Sequence, residues 1–146
     1  MRILVVASTK AEIERFQAQN TDAEIDVLIT GVGIVATTFQ LTKVLSRKDY
    51  DIVVNAGIAG AFFKKLEIGE VVEVRSEQFP EIGAEDDTSF ISIFELGLLD
   101  ENAYPFQKGK LTNPDTGIPN LKLVDGVTVN KVHGNKLSIQ KVVDQF

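Results

Sequence analysis

The sequence has no cysteine and one histidine, His133. The first absence excludes disulfides and thiolate-bound metals. The second leaves too few imidazoles for a His-rich metal site, so no metal and no cofactor is expected, and His133 reads as a hydrogen-bonded structural residue. No apolar run reaches the ~18 residues that a membrane helix needs. The opening Met1-Arg-Ile-Leu-Val-Val6 is too short in its apolar part for a signal peptide and reads as a first strand. Basic residues do not cluster. Lys64-Lys65 is the densest pair, it sits between apolar segments, and the formal charge is −6. A nucleic-acid backbone binder needs a basic footprint, so that class is disfavoured, and the excess of acid serves solubility. There is no G-x-S-x-G elbow, no Walker A sequence, no internal repeat and no low-complexity tract. A cytoplasmic location fits these absences, although a lack of cysteine is compatible with either redox compartment.

What is present is 146 residues with 44% hydrophobic content, enough for a single compact domain spanning 1–146. The patterning is α/β. Residues 2–7 are a β-branched apolar run, a first strand. A helix follows Ser8-Thr9, with apolar positions at 11, 13 and 16. Residues 24–30 alternate as a strand, and Ile34 to Leu45 has helical apolar spacing. Residues 51–55 contain an apolar run that reads as a buried strand of a parallel sheet. Residues 66–75 predict a turn and an alternating strand, and Pro80 to Asp87 a polar surface loop. Phe90 to Leu99 is apolar with an ambiguous period, and 100–120, with three of the four prolines, reads as irregular. Residues 121–132 are strand-like around Gly126. A final helix begins at Asn135, with apolar positions Leu137, Ile139, Val142, Val143 and Phe146.

In open α/β sheets ligands bind just beyond the carboxyl ends of the strands. Three such ends carry signals. Asn55-Ala-Gly57-Ile-Ala-Gly60 is a loop of small residues that would let a flat ligand approach the backbone. Gly31-Val-Gly33-Ile-Val-Ala36 matches the dinucleotide fingerprint, which supports a dinucleotide-binding oxidoreductase as one alternative. Against that, it follows the second strand, and Asp51 opens the next strand whereas Asn55 closes it, so the expected acidic residue is missing. A Gly-rich turn with close helix–sheet packing accounts for it equally well. At the first strand's end, Thr9-x-x-Glu12 fits a capping box, and Glu12 also fits a carboxylate placed to activate a water. Glu81, Glu85, Asp86 and Asp87 read as a solvated face.

Taken as a set, three segments resemble the nucleoside phosphorylase/nucleosidase superfamily, in particular the hydrolases for methylthioadenosine, S-adenosylhomocysteine and futalosine. Met1 to Glu12 looks like the family's opening strand and catalytic Glu. Ile29-Thr-Gly-Val-Gly-Ile-Val-Ala36 resembles its S/T-G-[IV]-G turn. Asn55-Ala-Gly-Ile-Ala-Gly60, followed by Leu66-Glu-Ile-Gly-Glu-Val-Val72, resembles N-x-G-x-A-G…L-x-[IV]-G-D-[IV]-V. The match covers about residues 1–75, and Gly126 to His133 is similar to the base-binding strand, with Val-Thr-Val-Asn wording closest to the futalosine hydrolases.

The resemblance implies a three-layer fold around a central mixed sheet. It implies cleavage of the N-glycosidic bond of a purine nucleoside by water. Glu12 would be the general base, Ser8 a substrate contact and Val32 a neighbour of the sugar. Ile58, Ala59 and Gly60 would flank ribose and base, and Val129 and Asn130 would line the base pocket. Phosphorylases of the superfamily hold phosphate with arginines where this chain has Thr9-Lys10 and Asn55, so water is the expected nucleophile. Family members run on for roughly another third of their length. That part brings a Met-Glu segment for the ribose hydroxyls and a later Asp that protonates the base, so the expectation is a C-terminally truncated chain. Its exposed sheet edge would favour a homo-oligomer. Truncation also keeps open a non-catalytic nucleoside-binding or assembly module.

Overall fold

Strand β1 (Ile3–Ala7) is the most buried stretch: Leu4, Val5, Val6 and Ala7 are all shielded from solvent. A computed structural model describes residues 1–63, 65–87, 89–113 and 118–145, so Lys64 of the basic pair and Phe146 of the last helix lie outside the described residues. The chain falls into two compact units, Met1–Gly60 and Ala61–Phe146.

The first unit runs β1, α1 (Lys10–Gln19), β2 (Ile25–Ile29), α2 (Ile34–Leu45) and β3 (Ile52–Asn55), each within a residue or two of the boundary that periodicity predicts. Its strands form a parallel sheet in the order β2-β1-β3, with Val5 opposite both Val27 and Val54. Leu4 to Ala7 alternate between the two faces of the sheet and are all buried, which is why the apolar run of β1 is continuous rather than alternating. Val5 and Ala7 pack with Ile13 of α1, and Ile3, Ile25, Val27 and Ala56 close around them.

The expectation that 51–55 is a buried strand is corrected. β3 pairs only with β1 among the described residues, and Ile52 and Val53 are 39% and 42% exposed. An edge strand keeps one flank and part of its faces in water. Helix α2 likewise buries none of its residues, although its apolar period is helical.

The second unit contains β4 (Val72–Gln78), β5 (Gly83–Asp86), β6 (Ser89–Ser92), β7 (Leu111–Thr112), β8 (Lys122–Val127) and α3 (Lys136–Val143). β4 is central in a mixed sheet of order β7-β4-β8, antiparallel to β7 and parallel to β8, with a register shift between Val74 and Ser76. β5 and β6 form an antiparallel hairpin. This corrects the reading of Pro80–Asp87 as loop. Every residue of β5 is exposed, so no inside–outside alternation marks it. The hairpin also needs its glycine: a Cβ on Gly83 would sit 2.1 Å from the Ile91 carbonyl oxygen. Among the described residues of 100–120, the irregular reading holds apart from β7 and the isolated bridge between Gln107 and Lys110. There Phe106 packs edge-on against Phe94 and Phe79, with ring centroids 5.4 Å and 6.5 Å away. Asn135 caps α3 by accepting the Ser138 N–H at 2.9 Å. Among the described residues, no helix is long and apolar enough to cross a membrane.

Candidate functional site

Strands β1 and β3 are parallel and adjacent, with Val6 opposite Asn55, so the segments leaving their carboxyl ends emerge side by side. The pairing continues one step further, where the Ala56 N–H donates to the Val6 carbonyl at 2.8 Å. β2 joins from the other flank: the Thr30 N–H donates to the Ala7 carbonyl at 3.0 Å and the Gly31 N–H to the Ser8 carbonyl at 3.1 Å. Three loops therefore meet at the end of β1, as the switch-point rule for open sheets leads one to expect.

Glu12 stands in the first turn of α1 and reaches two of them. Its Oε2 accepts the Thr9 N–H at 2.7 Å, the glutamate's half of the capping box, and also the Thr9 hydroxyl at 2.8 Å. Its Oε1 accepts the Ile58 N–H at 3.3 Å, across 46 residues of sequence. The two readings of Glu12 are thus not exclusive: one oxygen caps the helix, and the other faces the 57–60 loop. Gly57 permits this approach, since a Cβ there would lie 2.9 Å from Oε1. The Thr9 hydroxyl, opposed in part by desolvation and assisted by the Ile58 and Thr9 amides, lowers the carboxyl pKa from its ordinary value. A position at a helix N-terminus acts in the same direction. Glu12 is accordingly an anion and a proton acceptor at neutral pH.

The other residues singled out from the sequence fall as follows. Ser8 is half-buried beside Thr9, and its carbonyl ties down Gly31. Val32, next in the chain, is 77% exposed, and Ile58 is 87% exposed, with Ala59 and Gly60 also open to solvent. In the second unit, Val129 is half-buried and Asn130 exposed in the segment after β8. The Asn130 N–H donates to Glu81 Oε2 at 2.6 Å, and Glu81 Oε1 lies 3.0 Å from His133 Nε2. His133 is therefore the hydrogen-bonded residue expected of a lone histidine. Glu81 is not part of a solvated face, which corrects that reading: it is only 25% exposed and spends both oxygens on residues about 50 positions away. No local pattern announces so distant a contact.

Thr30 is the S/T residue of the Ile29–Ala36 turn, and its structural role is not read from the sequence. It is buried, its hydroxyl donates to the Gly31 carbonyl at 2.9 Å, and it lies 3.1 Å from the Thr37 hydroxyl. It locks the turn between β2 and α2. Gly31 and Gly33 in that turn have φ of 87° and 98°, a region that disfavours a Cβ. Asp51 accepts the Arg2 N–H at 2.7 Å at the start of β3, away from the strand's carboxyl end. The Gly-rich turn thus has a sufficient structural cause, and no acidic residue is placed where a dinucleotide's ribose would require one. Among the described residues, no His/Asp/Glu group is arranged to hold a metal ion.

No family model matches the sequence. Solved structures do match the fold. A 5′-methylthioadenosine/S-adenosylhomocysteine nucleosidase from Neisseria meningitidis, in complex with methylthio-immucillin-A, is similar with a TM-score of 0.75 at 13% identity, covering 99% of this chain and 71% of that one. A putative methylthioadenosine nucleosidase from Weissella paramesenteroides is similar with a TM-score of 0.65 at 18% identity, covering 98% and 70%. The chain shares the α/β fold of these nucleosidase structures.

Proposed function

We propose that this protein is an N-ribosyl hydrolase that cleaves the N-glycosidic bond of a purine nucleoside with water as nucleophile. The observation that carries the reading is Glu12: an anionic carboxylate at the end of β1, with Oε2 fixed by Thr9 and Oε1 presented at the Ile58 amide. Departure of a purine leaves positive charge on the ribose ring, and a carboxylate beneath that ring both orients a water and stabilises the charge. As the oxygen–C1′ bond forms, the water's protons become acidic, so a base of low pKa suffices. The lowered pKa of Glu12 therefore suits a late proton transfer to an already committed water.

Ser8, Val32, Ile58, Ala59 and Gly60 are the proposed sugar-side contacts, and Val129 and Asn130 the proposed base-side ones. Water rather than phosphate is supported by Thr9 and Asn55, neither of which supplies the guanidinium that a phosphate dianion favours. Methylthioadenosine-like or futalosine-like nucleosides are the proposed substrates. A homo-oligomer is supported by the apolar side chains Val35 and Phe39 on α2, which are 84% and 64% exposed.

The test is release of free base from methylthioadenosine, adenosine and inosine, followed chromatographically. Release by the wild type that is lost in Glu12→Gln supports the reading. No release from any of them, with Glu12→Gln indistinguishable from wild type, overturns it. Calorimetric binding of a purine without turnover would favour a non-catalytic nucleoside-binding module instead.

A further inference from the structure

Between the end of β8 at Val127 and the start of α3 at Lys136 the chain has no regular structure. Its amide groups there have no ladder to join, yet several are satisfied. The Thr128 N–H donates to the Gln78 carbonyl at 2.9 Å, and the Thr128 hydroxyl hydrogen-bonds Glu77. Two residues on, Glu81 takes over, with Oε2 on the Asn130 N–H at 2.6 Å and Oε1 facing His133 Nε2 at 3.0 Å. A carboxylate accepting an amide proton makes a short, charge-assisted bond, and one with both oxygens engaged fixes an angle as well as a distance.

The histidine ring is held in the same grip. With the carboxylate as acceptor, Nε2 donates to Glu81 Oε1. Nδ1 is buried and has no hydrogen-bond partner among the described residues. A buried unpaired nitrogen opposes this ring placement, so a bond on the opposite side must hold it, and Glu81 supplies that bond.

We propose that Glu81 is a positioning residue for purine recognition: by clamping the Asn130 amide and the His133 ring together, it fixes the Val129–Asn130 segment in the orientation that meets the base. This rests on the nucleosidase reading, which assigns that segment to the base. The clamp is a carboxylate on a turn, far from Asn130 in sequence, and its loss weakens binding of the base.

Adenine and, separately, hypoxanthine are titrated calorimetrically into the whole chain and its variants, with far-UV circular dichroism fixing the folded fraction. In Glu81→Ala the affinity per folded molecule for the better-bound base falls about tenfold or more. Glu81→Gln keeps an acceptor for Asn130 and restores affinity to within about threefold of wild type. Glu81→Asp keeps the charge but is too short to span both partners, and it weakens binding even if Glu81→Ala does not fold. Wild-type affinity in folded Glu81→Ala or Glu81→Asp, with only the melting temperature lowered, would show a purely structural clamp and overturn the inference. Absence of binding of either base by the wild type would likewise overturn the inference, whereas the nucleosidase reading stands or falls on base release.

Discussion

The two compact units hold themselves together by different means. Met1–Gly60 concentrates its burial on one strand: four consecutive residues of β1 are buried, and Ile13 packs on Val5 and Ala7. Ala61–Phe146 has few buried residues and leans on polar links along the β4–β8 ladder. Arg75 grips Asp125 through two hydrogen bonds at 2.9 Å and 3.0 Å, and Ser76 donates to the same carboxylate at 2.6 Å. Glu77 reaches Thr128 and Glu81 reaches Asn130 and His133 further along. The first unit should therefore respond to changes of volume and the second to changes of charge.

The largest effect separates two leucines. Leu4, 1% exposed, is expected to cost about 2–5 kcal/mol when changed to Ala, because a cavity is added to the lost burial. Leu123 on β8 is 47% exposed, and the same change there should cost about 0.5 kcal/mol or a little more. Thermal unfolding of both variants checks this, and equal losses would break the contrast.

Next is Gly57→Ala. The new Cβ would displace Glu12 Oε1, which lies 2.9 Å from its ideal position. Catalysis should fall about tenfold, equivalent to about 1.4 kcal/mol, while the capping oxygen Oε2 remains in place and the melting temperature moves little. Unchanged base release would mean that Oε1 has no part in the reaction.

The smallest effect is Arg75→Ala. Both partners of its ion pair are at least half exposed, so the loss should be the smallest of the three and greatest at low ionic strength. It should shrink as salt screens the pair. The pH sign follows from Asp125, whose carboxyl is held far below its ordinary value of 3.8, first by Arg75 and then by Ser76. A depressed folded-state pKa contributes stability that is full above 3.8 and disappears as pH falls through the lower folded-state value. Acid titration of stability in wild type and Arg75→Ala should therefore converge at low pH. A difference that grows with acid would contradict the assignment.

The same contrast decides what could be read in the sequence. β1, α1, β2, α2 and β3 were legible because each carries a hydrophobic period and a Gly or Thr boundary, and regular β–α alternation has few alternatives. What the period could not give was position in the sheet: Ile52-Val-Val54 looks like a buried strand, yet β3 lies at an edge. β5 was missed because pairing through the backbone, with every side chain in water, leaves no pattern.

The candidate site divides in the same way. Glu12 and the 57–60 loop stand out as strand ends, and the sequence posed cap and base as rivals for Glu12. The structure places Oε2 on Thr9 and Oε1 at the Ile58 amide, so a cap on one oxygen leaves the other free for the proposed role. Glu81 sits in a polar stretch that looks like a solvated face, and its function as a clamp depends on residues about 50 positions away.

The account's central claim is that the Oε1 face of Glu12 does chemistry while its Oε2 face holds the helix. The most direct test measures base release and unfolding together in Glu12→Gln. A glutamine still fits a capping box, so stability should fall by no more than about 1 kcal/mol. It cannot take a proton from water, so base release should fall by about 100-fold or more. Wild-type base release in a folded Glu12→Gln protein would show that Glu12 is a helix cap and nothing else.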